Sequence, residues 1–269
     1  MISRRATMAS AGALLLTRRA RAASFDPSSA ADRALAFRKL AFSLNDDVFF
    51  NWLRGRRYGL VDGKLTPFWD MVVGSVLRVT DHGGGHYDVT LIETSFYTDL
   101  ATGQRITHFK NPLTGKMVEI NFFPPNPHTI SYGPQGRTDT PTGVLAGLAR
   151  SAGIGPAWVE GGDAYVVGDT NLHGEIGHTA VHVNDLNTYA GRLADVLDPA
   201  QKNPPSRMIF NDLNSWPPWL QMGSIQGYYF SRAAGRKAFR LADMPALWRD
   251  EMTRMLPLLA RDPAGLLKG

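Results

Sequence analysis

Three of the chain's seven histidines crowd into Asn171-Leu172-His173-Gly174-Glu175-Ile176-Gly177-His178-Thr179-Ala180-Val181-His182. Imidazole and carboxylate donors together suit transition metals, so a compact loop gathering His173, Glu175 and His178 would hold one ion. On a strand, His178 and His182 would share a face but stand about 13 Å apart, too far to share an ion. A helix would make them neighbours, but Gly174, Gly177 and the β-branched residues around them oppose one. The His-Glu-x-x-His spacing of zinc proteases is absent. The competing expectation is that these are polar loop and strand-edge residues.

A second set could move protons. Glu93, His108 and Glu119 interrupt strand-like segments, and a carboxylate or imidazole beside a tyrosine such as Tyr97 in an apolar cavity can act as general acid or base. Trp52, Tyr58, Trp216, Trp219 and Met222, with Asn121 as a polar contact, are the candidate walls of a ligand pocket. Trp216-Pro217-Pro218-Trp219 is the sharpest of these, because two prolines stiffen the backbone between two indoles.

Other chemistries lack their signatures. There is no cysteine, which excludes disulfides, thiolate metal sites and a cysteine nucleophile. His82-Gly83-Gly84-Gly85 matches an esterase oxyanion loop, but no Gly-x-Ser-x-Gly elbow accompanies it. No phosphate loop or dinucleotide fingerprint occurs, so no organic cofactor is indicated and a metal is the one open possibility. The formal charge of +5 resides in Arg4, Arg5, Arg18, Arg19 and Arg21; without them the remainder is neutral. That argues against a nucleic-acid partner. No apolar run reaches the length of a membrane span.

The elements that would carry these residues are mostly strands. A short helix is expected over Ser29–Lys39, then strands from Val48. Val72–Thr80, Tyr87–Tyr97, Gln104–Lys110 and Lys116–Phe123 follow one another between turn signals, which predicts an antiparallel meander. Val118, Ile120 and Phe122 alternate with Met117, Glu119 and Asn121, giving one packed and one wetter face, or a polar-lined barrel lumen. Pro124–Pro141 reads as a long loop, Ala157–Val167 as a hairpin, and Arg207–Leu213 and Ile225–Ser231 as strands. Leu186, Tyr189, Ala190, Leu193 and Leu197 have helical spacing, which predicts a helix over Asp185–Val196. Asp243 is the expected cap of a last helix. The fold expected is mainly β, a lipocalin-like barrel or strongly curved sheet with a few peripheral helices.

The start of the chain reads as an address. Ser3-Arg4-Arg5-Ala6-Thr7-Met8, the mild apolar run Ala9–Leu16 and the small-x-small site Ala20-Arg21-Ala22 resemble a twin-arginine signal peptide. Residues 1–22 would be removed after recognition by the twin-arginine export machinery, leaving residues 23–269 as one β-rich domain, periplasmic or secreted. Tyr97-Thr98-Asp99, Thr102-Gly103, Asn111-Pro112-Leu113-Thr114-Gly115, Ser215-Trp216-Pro217-Pro218-Trp219-Leu220-Gln221-Met222-Gly223 and Arg232-Ala233-Ala234-Gly235-Arg236-Lys237 then resemble the bacterial and fungal family called domain of unknown function 1838. The resemblance covers essentially the whole mature chain. It implies a single β-rich domain and frequent twin-arginine export, but no settled reaction; Pro217 stands where a basic residue is expected. The functional expectation is a protein that binds, and as a lyase, isomerase or hydrolase transforms, a small hydrophobic or aromatic molecule. The alternatives are a non-catalytic carrier or sensor, and a metal-dependent enzyme built on His173, Glu175 and His178.

Overall fold

The computed structural model describes residues 24–121, 125–140, 148–176 and 179–268. The signal peptide expected over residues 1–22 lies outside the described residues, as do Phe122 and His178.

The protein is mainly β: among the described residues one ten-stranded antiparallel sheet curls into a nearly closed barrel, accompanied by four short α-helices. In chain order its strands are β1 (Phe49–Val61), β2 (Lys64–Gly83), β3 (His86–Thr98), β6 (His128–Gly133), β7 (Gly136–Arg137), β8 (Ala149–Glu160), β9 (Asp163–Ile176), β10 (Thr179–Arg192), β11 (Arg207–Asn214) and β12 (Tyr228–Ala238), with β4 (His108–Lys110) and β5 (Met117–Glu119) set apart. Each barrel strand pairs with its neighbour in this order except β7 and β8, which are the two ends of the sheet, and β12 pairs with β1. Across the seam between β7 and β8, Ile154 N–H donates to the Gln135 carbonyl at 3.3 Å. Here Gly136 approaches so closely that a Cβ on it would lie 3.1 Å from the Gly153 Cα. Asp139 reinforces the seam by accepting from Arg137 and Arg150.

Both ends of the barrel are stoppered. Helix α1 (Ala30–Ala41), capped by the Ser29 hydroxyl, lays Phe37, Leu40 and Ala41 into one end against Phe49, Val79, Val89 and Val166. Two buried lysines stitch this end. Lys39 donates to the Asp195, Val196 and Asp198 carbonyls, and Lys237 to the Lys39 and Phe42 carbonyls and to Asn203. Each ammonium thus fills its three donor positions, as burial of a charge requires. At the other end β4, β5 and the turn Pro218–Leu220 press Val118, Ile120 and Leu220 onto Phe68, Trp69 and Met71. Helix α3 (Ala246–Met255) covers part of the outer wall, its Trp248 filling the space left by Gly74, where a Cβ would sit 2.5 Å from the indole.

Four expectations change. Residues 185–192 are strand, not helix; only Leu193–Leu197 (α2) is helical. Pairing to β9 and β11 along both edges overrides the helical spacing, as tertiary context can. The meander does not continue past β3, because β4 and β5 form their own two-stranded sheet. The alternation Val118-in, Glu119-out holds, but it serves the stopper. Within 124–141, β6 and β7 add to the barrel, where a loop was expected. Asp243 lies in a 3-10 turn and binds Arg240, while α3 begins beyond it after Pro245.

Candidate functional site

Strand alternation decides which side chains enter the barrel. Leu53 packs inside, so Asn51, Leu53 and Arg57 of β1 point in while Trp52, Arg54 and Arg56 point out. Following the register around the wall, one row crosses five strands: Trp69 opposite Arg57, Arg57 opposite Ser231, Ser231 opposite Asp212, and Asp212 opposite Asp185.

This row concentrates the polar chemistry of the interior. Arg57 Nη1 donates to Asp212 Oδ2 in a short, buried ion pair. The guanidinium carbon also lies 4.2 Å from the centre of the Tyr229 ring. Burial alone would lower the Arg57 pKa, but Tyr229, Asp212 and Tyr97 outweigh it and hold the group above its usual range. Around the pair, Trp69 Nε1, Arg57 Nε, Ser231 Oγ and Asp212 Oδ1 are buried and have no hydrogen-bond partner. Native interiors pair nearly all such groups. Four unpartnered atoms on four consecutive members of one row therefore mark a place suited to a polar ligand group.

Asp185 ends the row. Burial pushes its carboxyl up to about 7, and the nearby Asp212 and Glu93 carboxylates push the same way against Arg57 and Arg137. Glu93 accepts from Ser75 Oγ at 2.9 Å. Glu93 is exposed and Asp185, Asn187 and Tyr189 are half-buried, although all four point into the barrel. The lumen is thus incompletely filled by side chains. Near α1 a cavity of about 40 Å³ lies between Phe37, Tyr132, Asn187 and Tyr189. Burial raises Tyr132 to about 12 and Tyr189 higher still, so both phenols stay neutral donors.

Of the residues expected to carry proton transfer, Glu93 and Tyr97 lie in the barrel wall facing inward, four residues apart on β3. His108 and Glu119 do not join them. They are cross-strand partners on the exposed face of the β4–β5 stopper, and His108 is 3.1 Å from the Thr107 hydroxyl. Among the candidate pocket residues, Trp219 reaches the interior, stacked on Trp69 at 5.9 Å and edge-on to Tyr229 at 6.4 Å. Trp216 is half-buried beside Phe68 and donates to the Ile225 carbonyl, and Met222 is buried against the Asn111 amide. Both belong to the stopper. Trp52 and Tyr58 point outward, against Arg236 and Phe230, and Asn121 is exposed.

The histidine segment is hairpin, not compact loop. His173 pairs directly with His182 across β9 and β10, and Ala180 with Glu175. His173 and Glu175 are exposed, and His173 Nδ1 contacts Asn171 Oδ1 at 3.2 Å. Among the described residues no three His, Asp or Glu side chains form a metal-holding group, and the Glu93–Asp185–Asp212 trio is not one either.

Sequence reasoning missed Arg57, Trp69, Asp185, Asp212, Tyr229 and Ser231. Period two in Met208-x-Phe210-x-Asp212 and Asp185-x-Asn187-x-Tyr189 is the signal that places the two aspartates on an inward face.

No family model, curated protein or solved structure matches the chain.

Proposed function

We propose that this is an exported protein that binds a small molecule with an apolar or aromatic body and a polar head in its barrel lumen, and that Asp185 exchanges a proton with that molecule. The observation that carries this reading is the row Trp69–Arg57–Ser231–Asp212, with its unpartnered polar atoms, ending beside a carboxyl whose pKa lies near 7. The row offers N–H donors from Arg57 and Trp69, an acceptor on Asp212, and a hydroxyl that does either. Trp219, Trp69, Tyr97 and Tyr229 supply aromatic faces beside it. An acid poised near neutrality serves equally as proton donor and acceptor. The resemblance to the domain of unknown function 1838 family fits this reading without adding a reaction.

Asp185→Asn tests it. Asparagine imitates the protonated acid but transfers no proton. Metabolites co-purifying with the mature protein, identified by mass spectrometry of the denatured sample, should be the same for wild type and variant. Deuterium exchange into that ligand from heavy water should require Asp185. Exchange that survives in the variant sinks the catalytic assignment; a ligand held without any exchange by either protein leaves a carrier.

The same substitution has a stability signature. The folded-state pKa of Asp185 is raised from 3.8 to about 7, so the native state binds more protons than the unfolded chain between those values. Wild-type stability should therefore fall as pH rises from about 4 to 7. Asp185→Asn should match wild type near pH 4 and exceed it at pH 8 by about 2 kcal/mol, the full shift of roughly three units being discounted for lumen water. Urea unfolding at the two pH values decides, and equal differences at both would refute the perturbed carboxyl.

For export, the motivating feature is Arg4-Arg5 before the apolar run. Replacing both with lysine should leave the full-length precursor in the cytoplasm; normal periplasmic accumulation of that variant would remove the proposal.

A further inference from the structure

On the outside of the barrel, β11, β12 and β1 are adjacent and place arginines on one face. Arg56 stands directly opposite Arg232, and Arg207 directly opposite Arg236. Arg54 lies two positions from Arg56 on the same face, opposite Ala234. Like charges directly across an antiparallel pair repel. Five guanidinium groups on three neighbouring strands are thus an unfavourable arrangement unless anions relieve it.

The protein's own carboxylates relieve only part of it. Asp70 holds Arg56 through both oxygens, at 2.6 and 3.2 Å. Asp163 holds Arg207, and Arg236 lies over the Trp52 ring and near Asp243. Among the described residues, Arg54 and Arg232 have no carboxylate partner, and both are exposed. These two, with Arg56, line a groove of about 790 Å³ whose other walls include Tyr58, Ile209 and Leu247. Its floor is low where Ala234, on the same outward face as Arg54, carries only a methyl group. Ile209 is 52% exposed, so an apolar contact is on offer beside the charges.

We propose that this groove is a second binding site, separate from the lumen, for a small phosphate or sulfate ester. Arg54 and Arg232 would grip the oxyanion, and the organic part would lie along Tyr58, Ile209 and Leu247. Guanidinium forks match the oxygens of phosphate and sulfate and bind them bidentately. Asp70 orients the third fork and disfavours a ligand whose charge extends over Arg56. A single compact oxyanion therefore fits better than an extended polyanion.

Inorganic phosphate is the probe, titrated calorimetrically into the mature protein at constant ionic strength. Binding should be saturable, and Arg54→Gln combined with Arg232→Gln should weaken it at least tenfold. Both residues are exposed, so this variant should unfold at the wild-type temperature or above it, since it removes repulsion. Asp185→Asn, inside the barrel, should bind phosphate as wild type does. Absence of saturable binding, or binding unchanged in the double variant, overturns the proposal. Co-sedimentation with phosphatidylglycerol vesicles separates the remaining source of phosphate: vesicle binding without binding of free phosphate would identify a membrane-facing patch and overturn the small-ester site.

Discussion

Replacing Arg57 with methionine should destabilise the protein by about 3–5 kcal/mol, because it strands Asp212 in the barrel interior. The Asp212 side chain is 4% exposed and the Arg57 side chain 11%, so neither can turn to bulk water. Loss of the guanidinium would also remove a cation that acts on both Asp212 and Asp185 across the row. The two carboxyls would then compete for protons, and the variant should recover part of its stability as pH falls. Pairing Arg57→Met with Asp212→Leu removes both charges at once. The double variant should regain most of the stability, since a buried ion pair is often no better than an apolar pair of similar volume. It should nevertheless lose the co-purifying ligand. Denaturant unfolding of the single and double variants at pH 5 and pH 8 measures the cycle. A single variant as stable as wild type would mean that the pair is not buried as described, and a double variant that keeps its ligand would move the binding site elsewhere.

Trp69→Ala should be about as costly, again about 3–5 kcal/mol. Its indole is fully buried and lies within 6.1 Å of the rings of Phe68, Tyr97, Phe109, Trp219 and Tyr229, measured between centroids. The substitution leaves a hole where the β4–β5 stopper meets the barrel wall, and no neighbour can collapse into it without breaking its own contacts. Trp219→Ala should cost less, because that indole is only half-buried, while ligand retention falls as much or more. Thermal unfolding together with ligand occupancy separates the two roles. Equal destabilisation with unchanged occupancy for Trp219→Ala would make both tryptophans structural.

The fold was more legible in the sequence than the site, and the reason is periodicity. Tyr87–Tyr97 is rich in β-branched and aromatic residues between turn signals and forms a strand as expected, as does Arg207–Leu213. Residues 185–192 misled because Leu186, Tyr189 and Ala190 fit a helical stripe equally well. Only the neighbours decide, and in the fold Leu186 is 48% exposed on the outer face while Tyr189 points in. The site failed for a related reason. Glu93 and Tyr97 share a strand, so their common inward face could be read locally. Arg57 and Asp212 are 155 residues apart in the chain, and nothing near either residue announces the other. Candidates chosen for chemical type alone, such as His108 and Glu119, ended on the outer face of the stopper. The motif residue Asn111 proved to be architectural: its amide bonds the Leu220 carbonyl and the Met222 sulfur and so locks the stopper to the Trp216–Trp219 segment.

The order of strands around the barrel carries a consequence for how the chain assembles. Apart from the β4–β5 detour, neighbours in space are neighbours in sequence, with one exception, the pairing of β1 with β12. That pairing is a full ladder from Phe50–Ala238 to Leu60–Tyr228, whereas the seam falls between β7 and β8, in mid-chain. Hairpins close at little entropic cost, but joining β1 to β12 must restrict nearly the entire intervening polypeptide. This full ladder is thus also the joint with the longest loop, and non-local contacts of this kind slow folding. Topologically, the barrel is an up-and-down ribbon whose break falls between β7 and β8, with its first and last strands, β1 and β12, joined at the centre of the sheet.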